Sequence, residues 1–278
     1  MSTSNSSAKR IWITGAGSGI GRSLALLYAA QGHKVIISGR TLDKLQHVAD
    51  EFSAAPTNPA AGASGNAGNI VPLVFDVTDA QSVEQTTTQL SHYTDYLDLV
   101  ILSAGTCEYL RRGYLDPALF KRVLDTNFFG LINSINAALP LLQKAPRRPH
   151  LAGVCSLAAF IGFPRAEAYG ASKAAAQYLL HSVRTDYTDL MDVTVINPGF
   201  VTTPMTAAND FPMPFEMKAD EAAKRISSAL NNRPLEFNFP RRLTATLRLA
   251  QLFKRTWYKR ISRKPGASGS AKEIAGDE

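Results

Sequence analysis

Residues 10–21 read Arg10-Ile11-Trp12-Ile13-Thr14-Gly15-Ala16-Gly17-Ser18-Gly19-Ile20-Gly21, and the run Arg22–Gln31 follows directly. Arg10–Thr14 has the short apolar character of a strand, and Arg22–Gln31 has helical patterning. Strand, glycine-rich turn and helix arrive in the order that binds a dinucleotide. Glycines let the backbone come close to a pyrophosphate, and a helix N-terminus offers unpaired N–H groups at the positive end of its dipole. A glycine-rich turn alone can also be only a tight turn, so the flanking segments carry the decision.

The second strand, Lys34–Ser38, runs into Gly39-Arg40-Thr41. In NAD-preferring nucleotide folds an acidic residue near this point binds the adenosine ribose hydroxyls, and here Arg40 stands instead. A guanidinium can grip a 2′-phosphate through two charge-assisted hydrogen bonds, so the sequence predicts NADPH; the alternative is a solvated arginine opening the next helix. Helix Leu42–Phe52 precedes Ser53–Asn69, seventeen residues drawn only from Ser, Ala, Pro, Thr, Asn and Gly. That composition predicts a flexible surface insertion, with no function assigned. Strand Val71–Phe75 ends at Asp76-Val77, helix Ala80–Tyr93 follows, and strand Leu97–Leu102 ends in Ser103-Ala104-Gly105. Small residues at that end leave room for a cofactor ring.

Tyr169-Gly170-Ala171-Ser172-Lys173 opens the helical segment Tyr169–Asp189. Side chains four apart share a helix face, so a tyrosine and a lysine can form one acid–base unit, the ammonium lowering the phenol's pKa. Ser156 follows the strand Leu151–Cys155, where its hydroxyl can meet a substrate carbonyl. Asn127 falls within a helix that asparagine does little to favour.

The glycine loop, Ser103-Ala104-Gly105, Asn127 in Asp125-Thr126-Asn127-Phe128-Phe129-Gly130, Ser156, Tyr169 with Lys173, and Asn197-Pro198-Gly199 together resemble the motifs of the short-chain dehydrogenase/reductase family. The resemblance covers about Arg10 to Pro240; Ser103 departs from it, since members usually carry asparagine there. It implies an α/β Rossmann-type fold, a doubly wound parallel sheet with helices on both faces, and an oxidoreductase that interconverts a ketone or aldehyde and an alcohol. It also implies a catalytic set. Tyr169 would protonate the carbonyl oxygen, Ser156 would bind that oxygen, Lys173 would hold the nicotinamide ribose, and Asn127 would hold a relay water. NADP(H) contacts would come from Gly15, Ser18, Gly19, Ile20, Gly21, Arg40, Asp76, Val77, Ser103, Ala104, Gly105, Tyr169 and Lys173. Pro198, Gly199, Val201 and Thr203 would contact the nicotinamide end. Relatives often assemble as dimers or tetramers, so a homo-oligomer is expected.

Composition agrees with a folded chain: 278 residues, 45% hydrophobic and 19% charged, can bury a large core in one domain. Cys107 and Cys155 lack metal spacing and the five histidines are scattered, so neither a metal site nor a disulfide framework is expected. The first ten residues are polar and no apolar run approaches eighteen, which predicts a cytoplasmic protein without a leader or span. Residues 1–9 and 265–278 are read as disordered tails.

The net charge of +7 is local. Residues 241–264 carry nine basic and no acidic residues, whereas residues 1–240 balance. A nucleic-acid-binding domain spreads its basic surface through the fold, so no nucleic-acid partner is expected. Within residues 240–264, Leu243, Leu247, Ala250, Phe253, Trp257 and Ile261 recur at spacings of three and four, which predicts a basic amphipathic helix. We read it as a peripheral contact with an anionic membrane, the alternative being a helix docked on the domain or a second subunit. Before it, Pro204–Met217 holds Met205, Phe211, Met213, Phe215 and Met217. The resemblance makes this segment a substrate lid, and its composition predicts an apolar, lipid-like substrate. A second reading of the whole is a non-catalytic NADP(H)-binding module acting through its basic tail.

Overall fold

The structure, a computed structural model, describes residues 8–55, 68–110, 114–207 and 209–261. Seven parallel strands form one sheet in the order β3-β2-β1-β4-β5-β6-β9. They are β1 (Arg10–Thr14), β2 (Lys34–Gly39), β3 (Asn69–Val74), β4 (Leu99–Leu102), β5 (His150–Val154), β6 (Asp192–Pro198) and β9 (Glu236–Phe239). A two-stranded ribbon, β7 (Val201–Thr202) with β8 (Met217–Lys218), stands beside it.

The strands read as unbroken apolar runs because both faces of the sheet are covered. In β1, Ile11 and Ile13 belong to one apolar cluster and Trp12 to the other, all three fully buried. The first cluster joins α1 (Gly19–Ala30), α2 (Leu42–Ala54) and α7 (Ala219–Leu230). The second joins α3 (Ser82–Tyr93), α5 (Gly130–Leu142) and α6 (Glu167–Asp186), while α4 (Pro117–Leu124) packs against α6. Alternate residues of one strand thus seed two cores, as a period of two requires.

Strand β1 lies between β2 and β4, registered with Ile11 opposite both Val35 and Leu99. The chain leaves β1 toward β2 and β3 and later returns to its other side at β4. The crevice beyond the carboxyl ends of β1 and β4 is therefore the switch point, where this architecture seats its ligands.

Two expected elements differ. The composition-biased stretch Ser53–Asn69 is structured at both ends, since α2 continues to Ala54 and β3 starts at Asn69; residues 56–67 lie outside the described residues, as do 1–7 and 265–278. The C-terminal basic segment is two helices, α8 (Arg241–Leu252) and α9 (Lys254–Ile261), because Phe253 leaves the helical region at φ −115°, ψ 49°. Apart from Phe253, which is exposed, its apolar stripe is not free. Leu243, Leu247 and Ala250 are buried against Leu157 and Ile161, with Phe160, Phe163, Phe200 and Trp257 packed around them. Docking on the domain is thus the reading that the structure supports for that stripe.

Candidate active site

The switch-point cleft has a volume of about 320 Å³. Gly15 turns the chain out of β1 in the left-handed region (φ +66°), and a Cβ there would stand 2.6 Å from the Ala104 nitrogen. Only glycine allows the first turn and the end of β4 to approach so closely. Thr14 Oγ1 fastens the two, accepting from the backbone N–H of Ser103 at 3.2 Å and of Ala104 at 3.3 Å. At the N-terminus of α1 the Ser18 side chain makes no capping bond, so the first-turn N–H groups stay available to an anion. Bare N–H donors over a glycine cradle fit a pyrophosphate.

Gly15, Ser18, Gly19, Ile20, Arg40, Asp76, Val77, Ser103, Ala104, Gly105, Pro198, Gly199, Val201 and Thr203 all border this cleft, with Tyr169 and Lys173 at its inner end. Gly21 does not. A Cβ there would lie 2.5 Å from the Gly15 carbonyl oxygen, so Gly21 packs α1 under the turn instead of facing a ligand. Lys44 and Thr78 border the cleft and were not foreseen; Lys44 stands four residues after Arg40, a spacing that sequence inspection could have used.

The Tyr169–Lys173 face of α6 meets the end of β5. Lys173 is buried and its Nζ donates to the Val154 carbonyl at 3.0 Å. Ser156 is extended just beyond β5; its Oγ accepts from the Ala158 N–H at 3.1 Å and is hydrogen-bonded to the Tyr169 phenol. Burial raises the Tyr169 pKa above its ordinary value, and the Ser156 bond opposes this without reversing it. Burial also lowers the Lys173 pKa. The expected depression of the tyrosine by the lysine does not appear: burial is the largest cause acting on each group, and neither shifts the other.

Asn127 lies in a π turn, Asp125–Phe129, between α4 and α5. Such turns displace side chains that a regular helix would leave elsewhere. Its Oδ1 accepts from Thr106 N–H at 2.8 Å, and its Nδ2 donates to Thr106 O and Ser172 Oγ, both at 2.9 Å. The side chain borders neither ligand cleft. It ties the loop after β4 to α6, and a Cβ added at Gly105 would stand 3.2 Å from both Asn127 Oδ1 and Lys173 Nζ.

A second cleft, of about 280 Å³ and mostly apolar, opens beside the first. Ser156, Tyr169, Gly199, Met205 and Thr206 border both. Its walls include Phe163, Phe200 and Phe211, with Leu243, Leu247 and Ile261 from α8–α9. Of the expected lid residues, Met205 and Phe211 face this cleft, whereas Met217 is buried in the core with β8 and Phe215 is exposed. Three hydrogen bonds clamp α8–α9 over the segment 160–162: Gln251 Nε2 to Phe160 O (2.7 Å), Trp257 Nε1 to Gly162 O (3.2 Å), and Gly162 N–H to the Tyr258 hydroxyl (3.4 Å). Among the described residues, no group of three or more His, Cys, Asp or Glu side chains can hold a metal ion, and no helix is long and apolar enough to cross a membrane.

A glycine turn at the switch point of a doubly wound sheet marks a dinucleotide-binding α/β protein. Its family is settled by comparison: residues 9–211 match the model described as short chain dehydrogenase, and the chain belongs to that family of oxidoreductases. An uncharacterized oxidoreductase of Myxococcus xanthus (strain DK1622) is 34% identical over 253 residues, 91% of this chain and 95% of that protein. Dehydrogenase/reductase SDR family member 7B of Xenopus tropicalis is 31% identical over 194 residues, 69% of this chain, and the match spans 60% of that longer protein. Among solved structures, a short chain dehydrogenase from Burkholderia cenocepacia J2315 in complex with NADP superposes with a TM-score of 0.75 over 92% of this chain and 98% of its own, at 20% identity, which speaks for the fold.

Proposed function

We propose that this protein is an NADPH-dependent oxidoreductase that interconverts a ketone or aldehyde and an alcohol on an apolar substrate. The observation that carries the reading is the junction of the two clefts: a cleft shaped for a dinucleotide and a greasy one share Ser156 and Tyr169. A substrate carbonyl held there would have the hydroxyls of both residues within reach of its oxygen.

Gly15, Ser18, Gly19 and Ile20 would hold the pyrophosphate, and Arg40 with Lys44 the 2′-phosphate. Both basic side chains are exposed at the cleft rim, and among the described residues neither forms an ion pair. The bound nicotinamide supplies the hydride that goes to the carbonyl carbon. Tyr169, protonated because burial raises its pKa, gives its hydroxyl proton to the carbonyl oxygen. Ser156 Oγ is oriented by the Ala158 N–H, and its own proton, which faces the Tyr169 phenol, would turn to donate to the same carbonyl oxygen. Lys173 sits at the inner end of the cleft, where it would bind the nicotinamide ribose, and Asn127 fixes the loop that backs it. Phe163, Phe200 and Phe211 keep water from the junction and favour an apolar body on the substrate.

The test is NADPH oxidation by the purified protein against carbonyl compounds from small aldehydes to long-chain and cyclic ketones, with Tyr169→Phe as control. Turnover rising with substrate apolarity and lost in the control supports the reading. Turnover unaffected in the control removes Tyr169 from the chemistry.

A further inference from the structure

Helix α8 is apolar on two sides. Its inner row, Leu243, Leu247 and Ala250, is buried on the fold, and Leu243 and Leu247, with Ile261 of α9, wall the apolar cleft. Its opposite side carries Ala245, Leu249 and Leu252, spaced four and three apart and so in one row, with Phe253 directly after. None of the large side chains belongs to the buried cluster: Leu249 is 56% exposed, Leu252 79% and Phe253 60%. A single exposed leucine needs no explanation, but an aligned row of large apolar side chains on one helix does.

The charge around this row narrows what covers it. Residues 241–261 include seven arginines and lysines and no acidic residue. Arg248 reaches Glu236 at 3.6 Å; among the described residues the other six are beyond ion-pair distance of any carboxylate. A second copy of the chain meeting this face by two-fold symmetry would set cations against cations. An anionic lipid surface offers both needed partners, acyl chains for the leucine row and negative headgroups for the basic residues around it.

We propose that α8–α9 docks the protein on an anionic phospholipid bilayer through Leu249, Leu252 and Phe253. Phe253 apart, this is not the stripe that the sequence suggested, whose Leu243, Leu247 and Ala250 are buried on the domain. One helix then has lipid on its outer side and the apolar cleft on its inner side. An apolar substrate can pass between bilayer and cleft along α8–α9 without crossing water. That last step rests on the substrate reading given above; the docking does not.

The experiment is co-sedimentation of the full chain with vesicles of phosphatidylcholine alone and of phosphatidylcholine containing phosphatidylserine, for wild type and Leu249→Ser/Leu252→Ser/Phe253→Ser. The three residues border neither cleft, so unchanged NADPH binding and circular dichroism verify the fold of the variant. The expected result is sedimentation with the anionic vesicles only, weakened by added salt, and an affinity reduced about tenfold or more in the variant. If the triple variant fails to fold, Lys254→Gln/Arg255→Gln, at exposed positions, gives a second reading with the same expected direction. No binding to anionic vesicles, or equal binding by a folded variant, overturns the proposal. So does a wild-type dimer that separates in the variant on sedimentation velocity, which would assign the face to a second copy. A protein without turnover that still binds the vesicles would sink the reductase reading and leave the docking in place.

Discussion

The Lys173 ammonium lies 5.9 Å from the centre of the Tyr169 ring and donates to the Val154 carbonyl at 3.0 Å, with no hydrogen bond to the phenol oxygen. The two groups share a helix face, as their spacing requires, but the lysine is anchored to the end of β5. What governs the phenol is its burial, which keeps it protonated, and the Ser156 hydroxyl, which pulls the other way.

A pH profile follows from that direction. A phenol with a raised pKa is already the proton donor at neutral pH, so carbonyl reduction is expected to stay flat between about pH 6 and about pH 8. Alcohol oxidation needs the deprotonated form and should climb about tenfold per pH unit below the pKa. Steady-state rates in both directions across this range check it, and an oxidation rate independent of pH would contradict it.

Arg40 and Lys44 give a prediction for the cofactor. Charge-assisted hydrogen bonds contribute about 1.5–3 kcal/mol each, so Arg40→Asp should weaken NADPH binding by roughly tenfold to a hundredfold and leave NADH bound as well or better. Lys44→Ser should weaken NADPH in the same direction and by less. Fluorescence titration with both nucleotides reads the ratio; a variant ratio equal to wild type would remove these side chains from the phosphate site.

Asn127→Ala should lower stability by about 1–3 kcal/mol for the unpaired backbone groups of Thr106 that it leaves in a part-buried place. Asn127→Asp should not rescue it, because a carboxylate cannot donate to Thr106 O and Ser172 Oγ. Denaturant unfolding followed at the two tryptophans measures the loss, and a stability within error of wild type would refute the anchoring role.

His150 is buried, shares a 2.8 Å hydrogen bond with Thr194 Oγ1, and is pushed down to about 3, first by burial and then by the Arg233 charge. The unfolded chain takes up a proton near pH 6.5 while the folded chain resists it. This contribution to stability is therefore complete above about pH 6.5 and is lost as pH falls toward 3, at up to about 1.4 kcal/mol per unit. Thermal unfolding between about pH 7 and about pH 5 should show a shallower decline in His150→Phe than in wild type. Parallel curves would show that His150 does not set the slope.

The sequence by itself determined what depends on neighbours along the chain. Arg10–Thr14 is a strand with the expected bounds, the glycine turn joins β1 to α1, and Tyr169 and Lys173 share one face of α6. Strand geometry, turn chemistry and the four-residue helix repeat are local, so residue order is enough to show them. Only the tertiary structure decided what depends on distant partners. Asn127 is drawn by the π turn onto Thr106, Gly21 is covered by the Gly15 carbonyl, and Lys44 joins Arg40 at the cleft rim. Residues 241–261 show the reason most directly. With apolar residues on two sides of α8, periodicity could identify a helix but could not choose its buried side; the surface formed by Leu157, Ile161 and Phe200, far away in sequence, made that choice.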